Sequence, residues 1–110
     1  MTPGGPVRVK VCGLTSVGHL RAAEALGASY VGLIVETPRS PRSLTRAQAR
    51  LLARAARAPA VLVTTAVHPQ AVAELVETVR PAVVQLHGGA GPERLRSVRE
   101  LVGGDRKSVV

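Results

Sequence analysis

The sequence has no tryptophan, no phenylalanine and a single tyrosine, Tyr30, so any core has to be built from small aliphatic side chains. A buried Ala, Val or Leu removes less area from water than an aromatic ring, which points to a core of modest stabilising power. The same lack leaves no platform for stacking bases, and nowhere do five or six basic residues adjoin, so no nucleic-acid partner is expected. A lone cysteine, Cys12, excludes an internal disulfide and suits a reducing compartment. Long apolar runs are also missing. No stretch approaches a membrane span, and the opening MTPGGPVRVK lacks the basic-then-apolar order of a secretory signal. A cytoplasmic protein with no membrane partner is the expectation. His19, His68, His87 and Cys12 are too scattered for metal-ligand spacing, so no metal is expected.

What is present is a chain of 110 residues, the length of one small domain, with a net charge of +8. Arginine carries almost all of that charge, 13 Arg against 2 Lys. Its planar fork suits phosphate and carboxylate ligands. A coding bias toward Ala, Arg, Gly, Val and Pro would produce the same charge without a functional cause.

Hydrophobic patterning places strands at 7–12, 29–35, 59–65 and 81–87. Helices are expected between and after them: 15–28 with Thr15 or Ser16 as cap, 45–57 capped by Thr45, 68–80 with Pro69 in its first turn, and 91–104. Strands apolar on both faces and separated by single helices argue a parallel sheet covered by helices. Right-handed crossovers set those strands side by side in chain order. The strands recur at intervals of roughly two dozen residues, the unit of an eight-fold βα barrel of roughly 200 to 250 residues. The fold class is therefore α/β, four βα units of a parallel (βα)8 TIM barrel, a half-barrel. A flavodoxin-like or Rossmann sheet is the alternative, although no G-x-G-x-x-G follows the first strand. On the second helix, Arg46, Arg50, Arg54 and Arg57 share one face, read as solvated, opposite a sheet-facing stripe of Leu51, Leu52 and Ala55.

Sites in such folds lie at the carboxyl ends of the strands. Strand alternation puts Arg8, Lys10 and Cys12 on one face and Val7, Val9 and Val11 on the other, so the thiol stands at the mouth of a barrel, two residues above a lysine. A nearby cation favours the reactive thiolate form, while a lone cysteine is as readily a small packing residue. The second strand opens into ETPRSPRS (36–43), where prolines flank Arg39 and Arg42; this is either an anion clamp or an exposed loop. The fourth strand presents Val83, Gln85 and His87 on one face, with Gly88-Gly89 allowing close backbone approach. A ligand contact and a structural histidine remain open readings there.

VKVCGLT (9–15), LGASYVGLIV (26–35), SPRS (40–43) and VVQLHG (83–88), in that order and at those intervals, resemble phosphoribosylanthranilate isomerase, over residues 7 to about 102. The resemblance implies an Amadori rearrangement of N-(5-phosphoribosyl)anthranilate to 1-(2-carboxyphenylamino)-1-deoxyribulose 5-phosphate in tryptophan biosynthesis, with no cofactor. It implies Cys12 as the general base, Arg42 as the residue holding the anthranilate group, and Gln85 and His87 as substrate-binding residues lining the pocket. The partner is then a phosphorylated small molecule. Two departures stand out. The family's third strand ends in an apolar-aromatic-apolar-Asn pattern where this chain has Val63-Thr64-Thr65-Ala66. Its general acid belongs to a sixth strand and its phosphate loops to the seventh and eighth. Residues 1–6 are expected to be a flexible leader, 7–104 the half-barrel, and 105–110 (DRKSVV) a non-native tail resembling a sequencing-adapter frame on a truncated gene, inactive alone. The competing functions are a non-catalytic half-barrel that self-associates and another phosphate-sugar barrel enzyme.

Overall fold

Helix starts follow from local chemistry. Ser16 accepts the N–H of His19 at 3.1 Å and opens α1 (Val17–Ala25). Thr45 and Gln48 form a reciprocal capping box on α2 (Arg46–Ala55), each side chain accepting the other's backbone N–H. α3 (Pro69–Val79) and α4 (Pro92–Leu101) carry a proline in the first turn instead, where a missing N–H costs nothing. A computed structural model of the chain describes residues 8–66, 68–88, 91–102 and 108–110.

The helices alternate with strands β1 (Lys10–Cys12), β2 (Tyr30–Ile34), β3 (Ala60–Thr64) and β4 (Val83–Leu86), followed by a short β5 (Ser108–Val109). All pair in parallel in the order β1-β2-β3-β4-β5. That unbroken order is the barrel arrangement; a Rossmann or flavodoxin-like sheet reverses direction at a switch point. No described helix is long and apolar enough to cross a membrane.

Alternation divides the sheet into two faces. Val31, Leu33 and Val35 of the second unit, Leu62 of β3, Val84 of β4 and Val109 of β5 point to the helices and pack with Leu20, Leu52, Val72, Leu75 and Val98. Lys10, Cys12, Tyr30, Gly32, Ile34, Val61, Val63, Val83 and Gln85 take the alternate positions and form the other face, the barrel interior. One expectation is corrected. Leu51 is 67% exposed, and the buried residues of α2 are Ala49 and Leu52. At about 100° per residue, the stripe running through 49, 52, 53 and 56 leaves Leu51 on nearly the opposite face.

β5 is an addition to the expected strands: Val110 donates to Val84 O at 2.8 Å and accepts from Leu86 N at 2.7 Å. Val109 occupies the buried apolar slot beside Val84, while Val110 is exposed. Residues 1–6 and 105–107 lie outside the described residues.

At the opposite end of the sheet from the strand tips, Glu24 of α1 ties the first unit to the turn before β3. Its carboxylate accepts the N–H of Arg57 and, at 2.9 Å, that of Ala58, and pairs with Arg21 at 2.7 Å. The Ala58 N–H does most to hold the carboxyl below its ordinary value of 4.5; desolvation opposes it, and the Arg57 N–H and the Arg21 guanidinium add to the lowering. A lowered folded value means stability that is present above pH 4.5 and lost as pH falls through the folded value. Thermal melts across pH 3 to 6 are expected to show an acid limb that Glu24→Gln makes shallower. An identical limb in that variant would remove Glu24 from the account.

Candidate functional site

The tip of β1 is set by its neighbour. Gly13 takes a positive φ of 83°, and its N–H and that of Leu14 both donate to Gly32 O, at 3.1 and 3.3 Å. This turn ends the strand immediately after Cys12, whose side chain is exposed on the interior face.

The segment after β2 is a tied loop. Val35 bridges Leu44, Thr37 N–H donates to Ser43 Oγ at 2.9 Å, and Thr37 Oγ1 donates to Val35 O at 3.2 Å. Ser40 Oγ accepts the N–H of Arg42 at 3.2 Å. Glu36, at a positive φ of 49°, receives Arg46 through two bonds of 2.8 and 3.2 Å. The loop holding Arg42 is thus closed by its own two serines and anchored to α2. The Arg42 stem crosses Gly13 closely: a β-carbon on residue 13 would lie 2.7 Å from Arg42 Cδ and 3.3 Å from Nη1. The absence of a side chain at residue 13 therefore leaves room for the Arg42 stem against the turn that follows Cys12. Among the described residues Arg42 has no ion-pair partner, so its fork is available to a carboxylate.

On β4, Gln85 lies in the interior with its Oε1 accepting from Lys10 Nζ across the sheet. That bond commits the lysine and fixes the amide, leaving Gln85 Nε2 as its free donor end. His87 follows on the same face, exposed, with its N–H held by Thr64 O at 2.9 Å and Gly88 turning at φ 91°. His19 and His68 are exposed and stand apart; His19 Nδ1 accepts the N–H of Thr15.

Cys12, Gln85 and His87 line one cavity of about 290 Å³ together with Ile34, Thr37, Ser40, Val63 and Thr65. Three of the four expected site residues are thereby brought together; Arg42 is not among the lining residues and packs instead against Gly13. Sequence reading passed over Thr37, Ser40, Thr65 and Gly32. Only Gly32 had a legible signal, a glycine inside an otherwise branched strand, which marks close approach of another group. The hydroxyls of Thr37, Ser40 and Thr65 give the cavity hydrogen-bonding walls over an aliphatic floor, which suits an aromatic ligand bearing polar substituents. The cavity lies at the lower end of the size range of small-molecule sites.

The chain matches the family model for N-(5'phosphoribosyl)anthranilate (PRA) isomerase over residues 9–106. It is 47% identical over 94 residues to the N-(5'-phosphoribosyl)anthranilate isomerase of Brucella canis, an alignment covering 84% of this chain and 42% of that protein. Its fold superposes on the phosphoribosyl anthranilate isomerase of Thermus thermophilus with a TM-score of 0.80 and 35% identity, over 94% of this chain and 50% of that one. A phosphoribosyl anthranilate isomerase in complex with reduced 1-(o-carboxyphenylamino)-1-deoxyribulose 5-phosphate gives a TM-score of 0.80 at 30% identity, over 86% of this chain and 50% of that one. This chain thus spans about half the length of the relatives it matches, 42 to 50% of each.

Proposed function

The chain belongs to the phosphoribosylanthranilate isomerase family, and from this premise we propose that it supplies the base and the anthranilate clamp for the Amadori rearrangement of N-(5'-phosphoribosyl)anthranilate. The observation that carries the reading is the convergence of Cys12, Gln85 and His87 on one cavity, with the Arg42 stem packed on Gly13 at the turn after Cys12. In the ring-opened, N-protonated Schiff base, the Cys12 thiolate takes the proton from C2. The C2–H electron pair becomes the C1–C2 double bond, and the C=N pair returns to nitrogen. The resulting enolamine then loses its O2 proton and gains one at C1, giving the ketose. Arg42 grips the anthranilate carboxylate through two parallel N–H bonds. The Gln85 amide, turned by Lys10, and the His87 ring complete the polar wall. By resemblance, ring opening by an acid and grip on the phosphate belong to barrel strands beyond the fourth unit. The active species is therefore a completed barrel.

Titration of the chain with reduced 1-(o-carboxyphenylamino)-1-deoxyribulose 5-phosphate, followed by anthranilate fluorescence, tests the clamp. Arg42→Met is expected to weaken binding roughly 10- to 100-fold, the worth of a charge-assisted pair. Arg42→Lys recovers part of it, since a point charge replaces a fork. Equal binding by all three chains would take the carboxylate away from Arg42.

A further inference from the structure

Position 32 is a glycine in the interior of β2, between Val31 and Leu33, where a glycine weakens a strand and any packing residue would strengthen it. Its register partner on β1 is Cys12. Parallel neighbours in register project to the same face, so whatever stands on residue 32 competes with the thiol for space. A β-carbon there would lie 2.8 Å from Cys12 Sγ, 3.1 Å from its Cα and 3.2 Å from its Cβ. Turning the thiol about χ1 relieves only the first of these contacts. The other two involve atoms that do not move with that rotation, so β1 itself has to shift. The thiol thus lies over the Cα of Gly32, and the β2 side is where Ile34, Thr37 and Ser40 line the cavity.

We propose that Gly32 is a positioning residue for the isomerisation: its missing side chain is the seat that holds the Cys12 thiol over β2, facing the cavity. This rests on the reading of Cys12 as the base. Gly32→Ala turns the thiol away and moves it on the order of 1 Å, a misplacement that costs roughly a hundredfold in rate. Substrate affinity is read separately, because Gly13, against which Arg42 packs, is itself bonded to Gly32 O.

The direct test is the Cys12 rotamer in the isotope-labelled 110-residue chain, read from three-bond couplings about χ1. The wild-type chain is expected to show one dominant rotamer, and Gly32→Ala a different or averaged one. An unchanged rotamer in a folded Gly32→Ala chain overturns the proposal. If Gly32→Ala fails to fold, the double variant Cys12→Gly/Gly32→Ala, which removes both the Sγ and the Cβ that meet the added methyl, decides. Recovery of a cooperative melt supports a collision centred on the Cys12 side chain, and continued failure overturns it. Neither arm depends on turnover. Failure of the Cys12 reading shows separately, as normal turnover by Cys12→Ala with the rotamer arm intact.

Discussion

Cys12→Ala is expected to lower turnover of N-(5'-phosphoribosyl)anthranilate by about 10²–10⁴-fold, the contribution of a positioned acid-base group, with KM little changed. The separation of effects follows from the site. Arg42 belongs to the loop after β2 and its stem packs on Gly13, whereas Cys12 stands on β1 and lies against Gly32. On the proposed roles, removing the thiol deletes the proton acceptor and leaves Arg42 in place for the carboxylate. Serine is no substitute, because its hydroxyl is far less acidic than a thiol and holds no comparable anion at neutral pH. The measurement is steady-state kinetics on this chain completed by the carboxyl-terminal half of the Brucella canis relative, the portion that supplies the remaining strands. Turnover within threefold of the wild-type assembly would move the base elsewhere. A loss expressed in KM alone would make Cys12 a binding group.

Leu62→Ala carries the largest stability change. Leu62 is fully buried in the middle strand of the sheet, in register with Leu33 on β2 and Val84 on β4, and Val84 in turn is in register with Val109. These side chains form one row beneath the helices, each without accessible surface or nearly so. Truncation removes the transfer energy of the lost methyl groups and leaves a cavity that rigid strands on both sides cannot close. The cost is about 2–5 kcal/mol, against a total of about 5–15 kcal/mol for a domain. With one aromatic residue in the whole chain, no large neighbour can swing in to fill the void. Urea denaturation is expected to show the midpoint falling by a third or more. The comparison is Leu51→Ala, at a residue 67% exposed, where a change within about 0.5 kcal/mol is expected. Equal losses at the two positions would mean that the register row is not the centre of the core.

Much of this molecule is legible locally. The strand-helix alternation, the Ser16 and Thr45 caps and the prolines of α3 and α4 are consequences of residues within a turn of one another. Cys12, Gln85 and His87 could be assigned to one face because strand side chains alternate with a period of two, and alternation needs no knowledge of neighbouring strands. Placement at the strand tips follows from the parallel fold itself. Leu51 was misread because three apolar residues close together on α2 compete for one stripe, and only packing chooses between them.

The sequence by itself determined the order of the elements and the identity of the residues at the strand ends, because short-range patterning decides both. The strand order in the folded sheet separated the barrel arrangement from a Rossmann or flavodoxin-like one. Tertiary structure alone decided how those residues meet. The Lys10–Gln85 bond spans 75 residues of chain, and the Glu24 clamp on Arg57 and Ala58 spans more than 30. The seats of the Cys12 thiol on Gly32 and of Arg42 on Gly13 depend on strand register and loop closure, set by distances of a few tenths of an ångström between distant segments. Local propensity carries no information about such distances; packing of the sheet against its helices sets them.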